Sequence, residues 1–174
     1  GQQYDDVVLM NIHGAYSKAI RDLALAYRFS GKFEYSNKAK EILLAYAEKY
    51  PSYKLHDKNG NEKIGGGKVG PQTLDESVWL IPVCQGADLI WDRLSEEERK
   101  KGEVGLIRPA AEVIRKHKMG IHNIQCWKNS AVGLAGLLLG DAELVADAID
   151  SKHGYYRQIS EGVNSDGQWY EGAW

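Results

Sequence analysis

The segment MGIHNIQCWKNSAVGLAGLLLGD, residues 119–141, divides into two unlike halves. From Ala131 to Leu139 it is almost wholly apolar, whereas its first two turns hold His122, Asn123, Gln125, Trp127, Lys128 and Asn129. On a helix, His122, Gln125 and Asn129 fall at i, i+3 and i+7 and share a face, with Cys126 beside them, while Asn123 and Trp127 form an adjacent i, i+4 row. An imidazole can donate or accept a proton near neutral pH, and carboxamide N–H groups can donate to carboxylate oxygens. An indole offers a flat apolar face to a sugar. Together they suit a carboxylate-bearing ligand. The plainer reading is a helix start capped by His122-Asn123, with Gln125 and Lys128 in water.

A second cluster, DGQWYEG (Asp166 to Gly172), reads in two ways: an Asp-Gly turn followed by a partly buried aromatic pair, or a cleft loop that presents Trp169, Tyr170 and Glu171.

The elements that must position these residues are helical. Ala15 to Phe29 places Ile20, Leu23, Ala24 and Tyr27 on one face, Gly31 supplies a stop, and Phe33 to Tyr50 resumes with Ala39, Ile42, Leu43, Tyr46 and Ala47. This is an antiparallel hairpin closed by Pro51. Residues 56–72 hold five of the 19 glycines in a polar setting without the flanking strand of a phosphate-binding motif, so they form a long, substrate-facing loop. A third helix spans Thr73 to Leu94, with Pro82 expected to kink or restart it. Ser95 and Glu98 form a capping box for a helix that Gly102, Gly105 and Pro109 subdivide before Lys118. After the quoted helix come short ones at Ala142–Ile149 and Tyr155–Gly162. Strand-like alternation is scarce, so the fold class is all-α, built of antiparallel helix pairs.

Composition narrows the function classes. A formal net charge of -2 gives no basic field for nucleic acid, and no run approaches the roughly 20 apolar residues of a membrane span. Cys84 and Cys126 lack metal-cage spacing and read as two buried thiols rather than a bridge. No His and carboxylate spacing indicates a metal, and no cofactor is expected. His13 is placed to line a cleft; His56, His117 and His153 sit among charges and read as surface.

Taken together, His122 with GLAGLLLGD (Gly133 to Asp141), and DGQWYEG some forty residues on, resemble the helical domain of the heparinase II/III-type polysaccharide lyases, which include alginate lyases and heparin or heparan sulfate lyases. QTLDESVWLI (Gln72 to Ile81) and the first hairpin extend the resemblance over most of the chain. Many members have Asn before the His; here Ile121 precedes it and Asn123 follows, closer to the exo-acting branch. The family's catalytic Tyr would follow Glu171-Gly172, beyond Trp174, so Tyr170 is not assigned that role.

The resemblance implies an incomplete (α/α) toroid, with residues 1–174 part of one catalytic domain that continues beyond them and is followed by a β-sandwich domain. It implies β-elimination from an acidic polysaccharide or oligosaccharide, in the periplasm or outside the cell. Asn123 and Gln125 would bind the uronate carboxylate, and His122 would neutralise it or act as general base. Trp127 and Trp169 would be sugar platforms, Glu171 an orienting group, Lys68 and Lys128 contacts to carboxylate or sulfate, with Gln72 and Tyr170 also contacting substrate. Two other readings remain: a glycoside hydrolase on a helical toroid, using a carboxyl pair such as Asp166 and Glu171, and a non-catalytic carbohydrate-binding scaffold.

Overall fold

The computed structural model describes the backbone of residues 2–170 and the side chains of residues 7–170, and among these the regular structure is helical. In chain order the helices are α1 (Gln2–Ser30), α2 (Phe33–Lys49), α3 (Thr73–Leu89), α4 (Glu96–Gly102), α5 (Arg108–Arg115), α6 (Asn123–Leu139), α7 (Ala142–Ile149) and α8 (Tyr155–Gly162). The all-α expectation holds. None of these helices is long and apolar enough to cross a membrane.

Two layers result. In the first, α1, α3 and α6 lie side by side and run the same way. His13 and Ser17 of α1 border the same cavity as Asp75 and Trp79 of α3. Farther along, Gly86 abuts Ile20, and Arg28 donates to the Leu89 carbonyl at 2.5 Å and to Asp92 at 2.7 Å. A Cβ at Gly86 would fall 2.7 Å from Ile20 backbone, so only glycine allows this approach. In the second layer α2, the α4–α5 segment and α7 return in the opposite sense. Lys40 pairs with Glu98 and Lys101 with Glu48 along one seam; Arg108 pairs with Asp141 and Lys118 with Asp147 along the next. Between the layers lies the main core, with Leu43, Leu80, Val83, Leu106, Ile107, Ile114, Ala131, Ala135 and Leu144 almost fully buried, and a smaller cluster forms around Ala24, Ala39 and Ile90.

Local chemistry sets the boundaries. Ser95 accepts from the Glu98 N–H while the Glu98 carboxylate takes the Ser95 N–H, the expected capping box. Gly140 ends α6 at φ 65°, a left-handed conformation that costs a residue with a side chain more than glycine. A π-helical turn at Glu103–Ile107 joins α4 to α5.

Two expectations need correction. The first helix starts at Gln2 rather than Ala15, and α3 runs through Pro82 without a restart and stops at Leu89 rather than Leu94. The carbonyl that Pro82 leaves without a helical partner belongs to Val78, an exposed position where water can take up the bond.

Both cysteines are free thiols; Cys84 is buried and Cys126 half-buried. Burial pushes the Cys84 thiol up to about 12.

Candidate active site

Because α1, α3 and α6 are parallel, the starts of α3 and α6 lie at one end of the array, the end that also carries the glycine-rich loop. The turn of residues 116–122 leads into α6 here, without regular structure of its own, and side chains supply its backbone hydrogen bonds. Gln125 Oε1 accepts the Met119 N–H at 2.8 Å, Lys128 Nζ donates to the His117 carbonyl, and His153 Nδ1 lies 2.6 Å from the Met119 carbonyl. Gln158 Oε1 accepts the His122 N–H at 3.1 Å, and its Nε2 donates to the Gly120 carbonyl at 3.0 Å.

His122 is the N-cap of α6. Its Nδ1 accepts the Ile124 N–H at 3.1 Å, so this nitrogen carries the lone pair and the proton of the neutral ring sits on Nε2. The ring is half-buried rather than packed away in hydrocarbon. Asn123 and Trp127, one turn apart on the adjacent row, are exposed, Trp127 by 46%.

The second cluster folds back against the first. Val163 and Trp169 form an antiparallel bridge around a turn in which Gly167 N donates to the Asn164 carbonyl and Asp166 accepts from the Gln168 N–H. The Asp-Gly turn is present, and it also carries a half-buried Trp169 to the mouth. A Cβ on Gly162 would lie 2.6 Å from Trp169 Cζ3 and 2.9 Å from Ile121 Cγ2. The indole and the residue before His122 therefore close over the same point on α8. Tyr170 is half-exposed, its N–H donating to the Gly162 carbonyl at 2.6 Å, while Glu171 lies outside the described residues.

Four of the expected contact residues are employed elsewhere or lie to one side. Gln125 is 1% exposed, with Nε2 on Asn129 at 2.8 Å and Asn129 in turn on the His153 carbonyl. Lys128 is also 1% exposed; burial, then the charge of Lys118, pulls its ammonium down to about 8. Lys68 closes the end of α2, reaching the Tyr50 and Pro51 carbonyls at 3.3 and 3.4 Å with Nζ 4.8 Å from the centre of the Tyr50 ring. Gln72 is exposed at the N-cap of α3 and hydrogen-bonds Asp75, whose carboxyl burial nevertheless holds above the usual range. The spacing that put Gln125 beside His122 could not show that this face of α6 meets the 116–122 turn instead of a cleft.

The glycine-rich loop is tied down by a residue not singled out in the sequence. Glu76 is wholly buried: Oε2 accepts the Lys68 and Val69 N–H groups at 2.8 and 3.0 Å, and Oε1 accepts the Tyr50 hydroxyl at 2.5 Å. Burial raises its carboxyl above the ordinary range. His117, expected at the surface, is half-buried with Nδ1 2.8 Å from Thr73 Oγ1 and its ring against Gly65; burial, then the Lys128 charge, lowers its pKa. This contact joins the loop to the turn before His122. His153 and His56 are likewise half-buried. His13, expected near a cleft, borders two cavities at this end and bonds the Tyr46 hydroxyl at 2.8 Å.

Of the carboxyl pair considered for hydrolysis, Asp166 lies exposed on its own turn, accepting the Gln168 N–H, and Glu171 lies outside the described residues. At the start of α6 the described residues place a half-buried imidazole beside the exposed Asn123 and Trp127, with Trp169 half-buried on the neighbouring turn.

A family model described as alginate lyase matches residues 5–172. An exo-oligoalginate lyase of Saccharophagus degradans is 34% identical over 171 residues, covering 93% of this chain and 23% of that protein. An alginate lyase of Stenotrophomonas maltophilia is 36% identical over 170 residues, again 93% of the chain and 23% of the relative. The chain thus spans about a quarter of the length of these curated relatives. With the family model matched along nearly the whole chain, the chain belongs to the alginate lyase family.

Proposed function

We propose that this chain forms the mouth of a polysaccharide lyase that cleaves alginate by β-elimination, on an arc of helices that belongs to an (α/α) toroid. The observation that carries the reading is the closure of Trp169 and Ile121 on Gly162, which brings the indole to the residue that precedes His122. Between the two roles open to His122, the geometry favours one. With Nδ1 engaged by the Ile124 N–H, Nε2 offers a proton rather than a lone pair, so His122 neutralises the uronate carboxylate as a donor and does not remove the C5 proton. Asn123 adds a carboxamide donor at the same helix start, where the helix dipole also favours an anion. Once the carboxylate charge is held, the C5 proton becomes removable, electrons move into C4–C5, and the O4 bond breaks. The base and acid for those transfers would come from residues following this chain, a Tyr foremost.

Trp127 and Trp169 supply the apolar faces for sugar rings. The family and both relatives point to alginate rather than a sulfated heparin-type glycan. In this reading the enzyme works in the periplasm or outside the cell, and a β-sandwich domain would complete the protein.

The test is incubation of the full-length protein with alginate. A product carrying the ultraviolet-absorbing C4–C5 double bond is expected, and His122→Ala should lower kcat by about 100- to 1,000-fold. Saturated reducing sugar without that absorbance would instead indicate hydrolysis and overturn the proposal.

A further inference from the structure

Gln158 of α8 is 1% exposed, and no step of the proposed reaction requires it. Its carboxamide nonetheless grips both sides of Ile121: Oε1 takes the His122 N–H at 3.1 Å and Nε2 gives to the Gly120 carbonyl at 3.0 Å. This is the two-way bonding a neighbouring strand would supply, delivered by one side chain. Nε2 also approaches the His153 carbonyl at 3.4 Å, and Cys126 Sγ lies 3.9 Å from Oε1. One turn further along α8 sits Gly162, on which Ile121 and Trp169 converge. A single helix therefore holds the backbone of His122 at one point and seats the indole platform at the next.

We propose that Gln158 is a positioning residue for His122. It fixes the backbone at His122 so that the ring reaches back to cap α6 through Nδ1, which leaves Nε2–H as the outward donor, and α8 thereby sets the spacing between that donor and Trp169. The inference rests on the assignment of His122 as carboxylate donor. A rigid frame matters here because a donor moved by an ångström loses most of its advantage for the transition state.

The experiment uses the full-length protein. Gln158→Met keeps the volume and removes both bonds; Ser95→Ala, which weakens the distant α4 cap, calibrates loss of stability alone. Gln158→Met is expected to lower kcat roughly 10- to 100-fold with KM held within about threefold, the pattern of an interaction felt in the transition state. Nitrogen-15 spectra should show His122 in a single Nε2–H tautomer in the wild type and a mixture in the variant. Wild-type hydrogen exchange supplies a readout that does not depend on the variant folding: the His122 amide should be as protected as amides within α6. Unchanged kcat and tautomer in Gln158→Met, a loss of melting temperature alone like that of Ser95→Ala, or rapid exchange at the His122 amide would each overturn the proposal. Full turnover in His122→Ala would sink the donor assignment itself, and so is told apart from failure of Gln158.

Discussion

His122 differs from the other described histidines in what its ring nitrogens face. Nδ1 of His13, His117, His153 and His56 lies against the Tyr46 and Thr73 hydroxyls and the Met119 and Lys54 carbonyls, whereas Nδ1 of His122 accepts the backbone N–H of Ile124 at its own helix start. Trp127 is the exposed residue next in importance. Replacing it with Ala should raise KM for alginate oligomers about two- to tenfold, the worth of one aromatic face, with little change in kcat, as steady-state kinetics would show. Lys128 gives a pH signature instead. Its folded pKa of about 8 lies below the unfolded value, so between about pH 8 and 10.5 the unfolded chain binds the extra proton and folding gains stability as pH rises. Urea unfolding of wild type and Lys128→Met across that range should show the wild type gaining relative to the variant above pH 8; a difference independent of pH would contradict the buried ammonium.

At the scale of elements, α3 controls the glycine-rich loop through one carboxylate. Glu76→Ala leaves the Lys68 and Val69 N–H groups and the Tyr50 hydroxyl without their acceptor, a loss on the order of several kcal/mol if each buried group costs about 1–3. A lowered melting temperature with new proteolytic cleavage between residues 53 and 72 is expected. Gly140→Ala, at φ 65°, should cost about 1 kcal/mol, measurable by denaturant titration. Helix boundaries of this kind were legible because each has a local cause: Gly31, the Ser95–Glu98 box and Gly140 all act within one turn. The start of α1 was not, since Val7, Val8, Leu9 and Ile12 are exposed and offer no buried stripe to read. The His122 cap and the Trp169 turn could be read from residue type. Gln125, Lys128 and Glu76 could not, because whether a polar helical residue meets solvent or an irregular backbone segment depends on contacts distant in sequence.

In the molecule as a whole, three parallel inner helices are backed by a returning outer layer, and the starts of α3 and α6 share one end. That end collects positive helix poles on a chain whose formal net charge is -2, so the pull on an anion is local to that end and does not come from the overall charge. Lys68 and Lys128 are engaged with carbonyls, so under the proposed reading the carboxylate falls to the His122 ring. A crystal structure of the full-length protein with a bound alginate trisaccharide addresses this directly. A uronate carboxylate within hydrogen-bonding distance of His122 Nε2, with Trp127 or Trp169 against a sugar face, is the expected result. A trisaccharide bound in a productive pose while His122 Nε2 faces only water would contradict it.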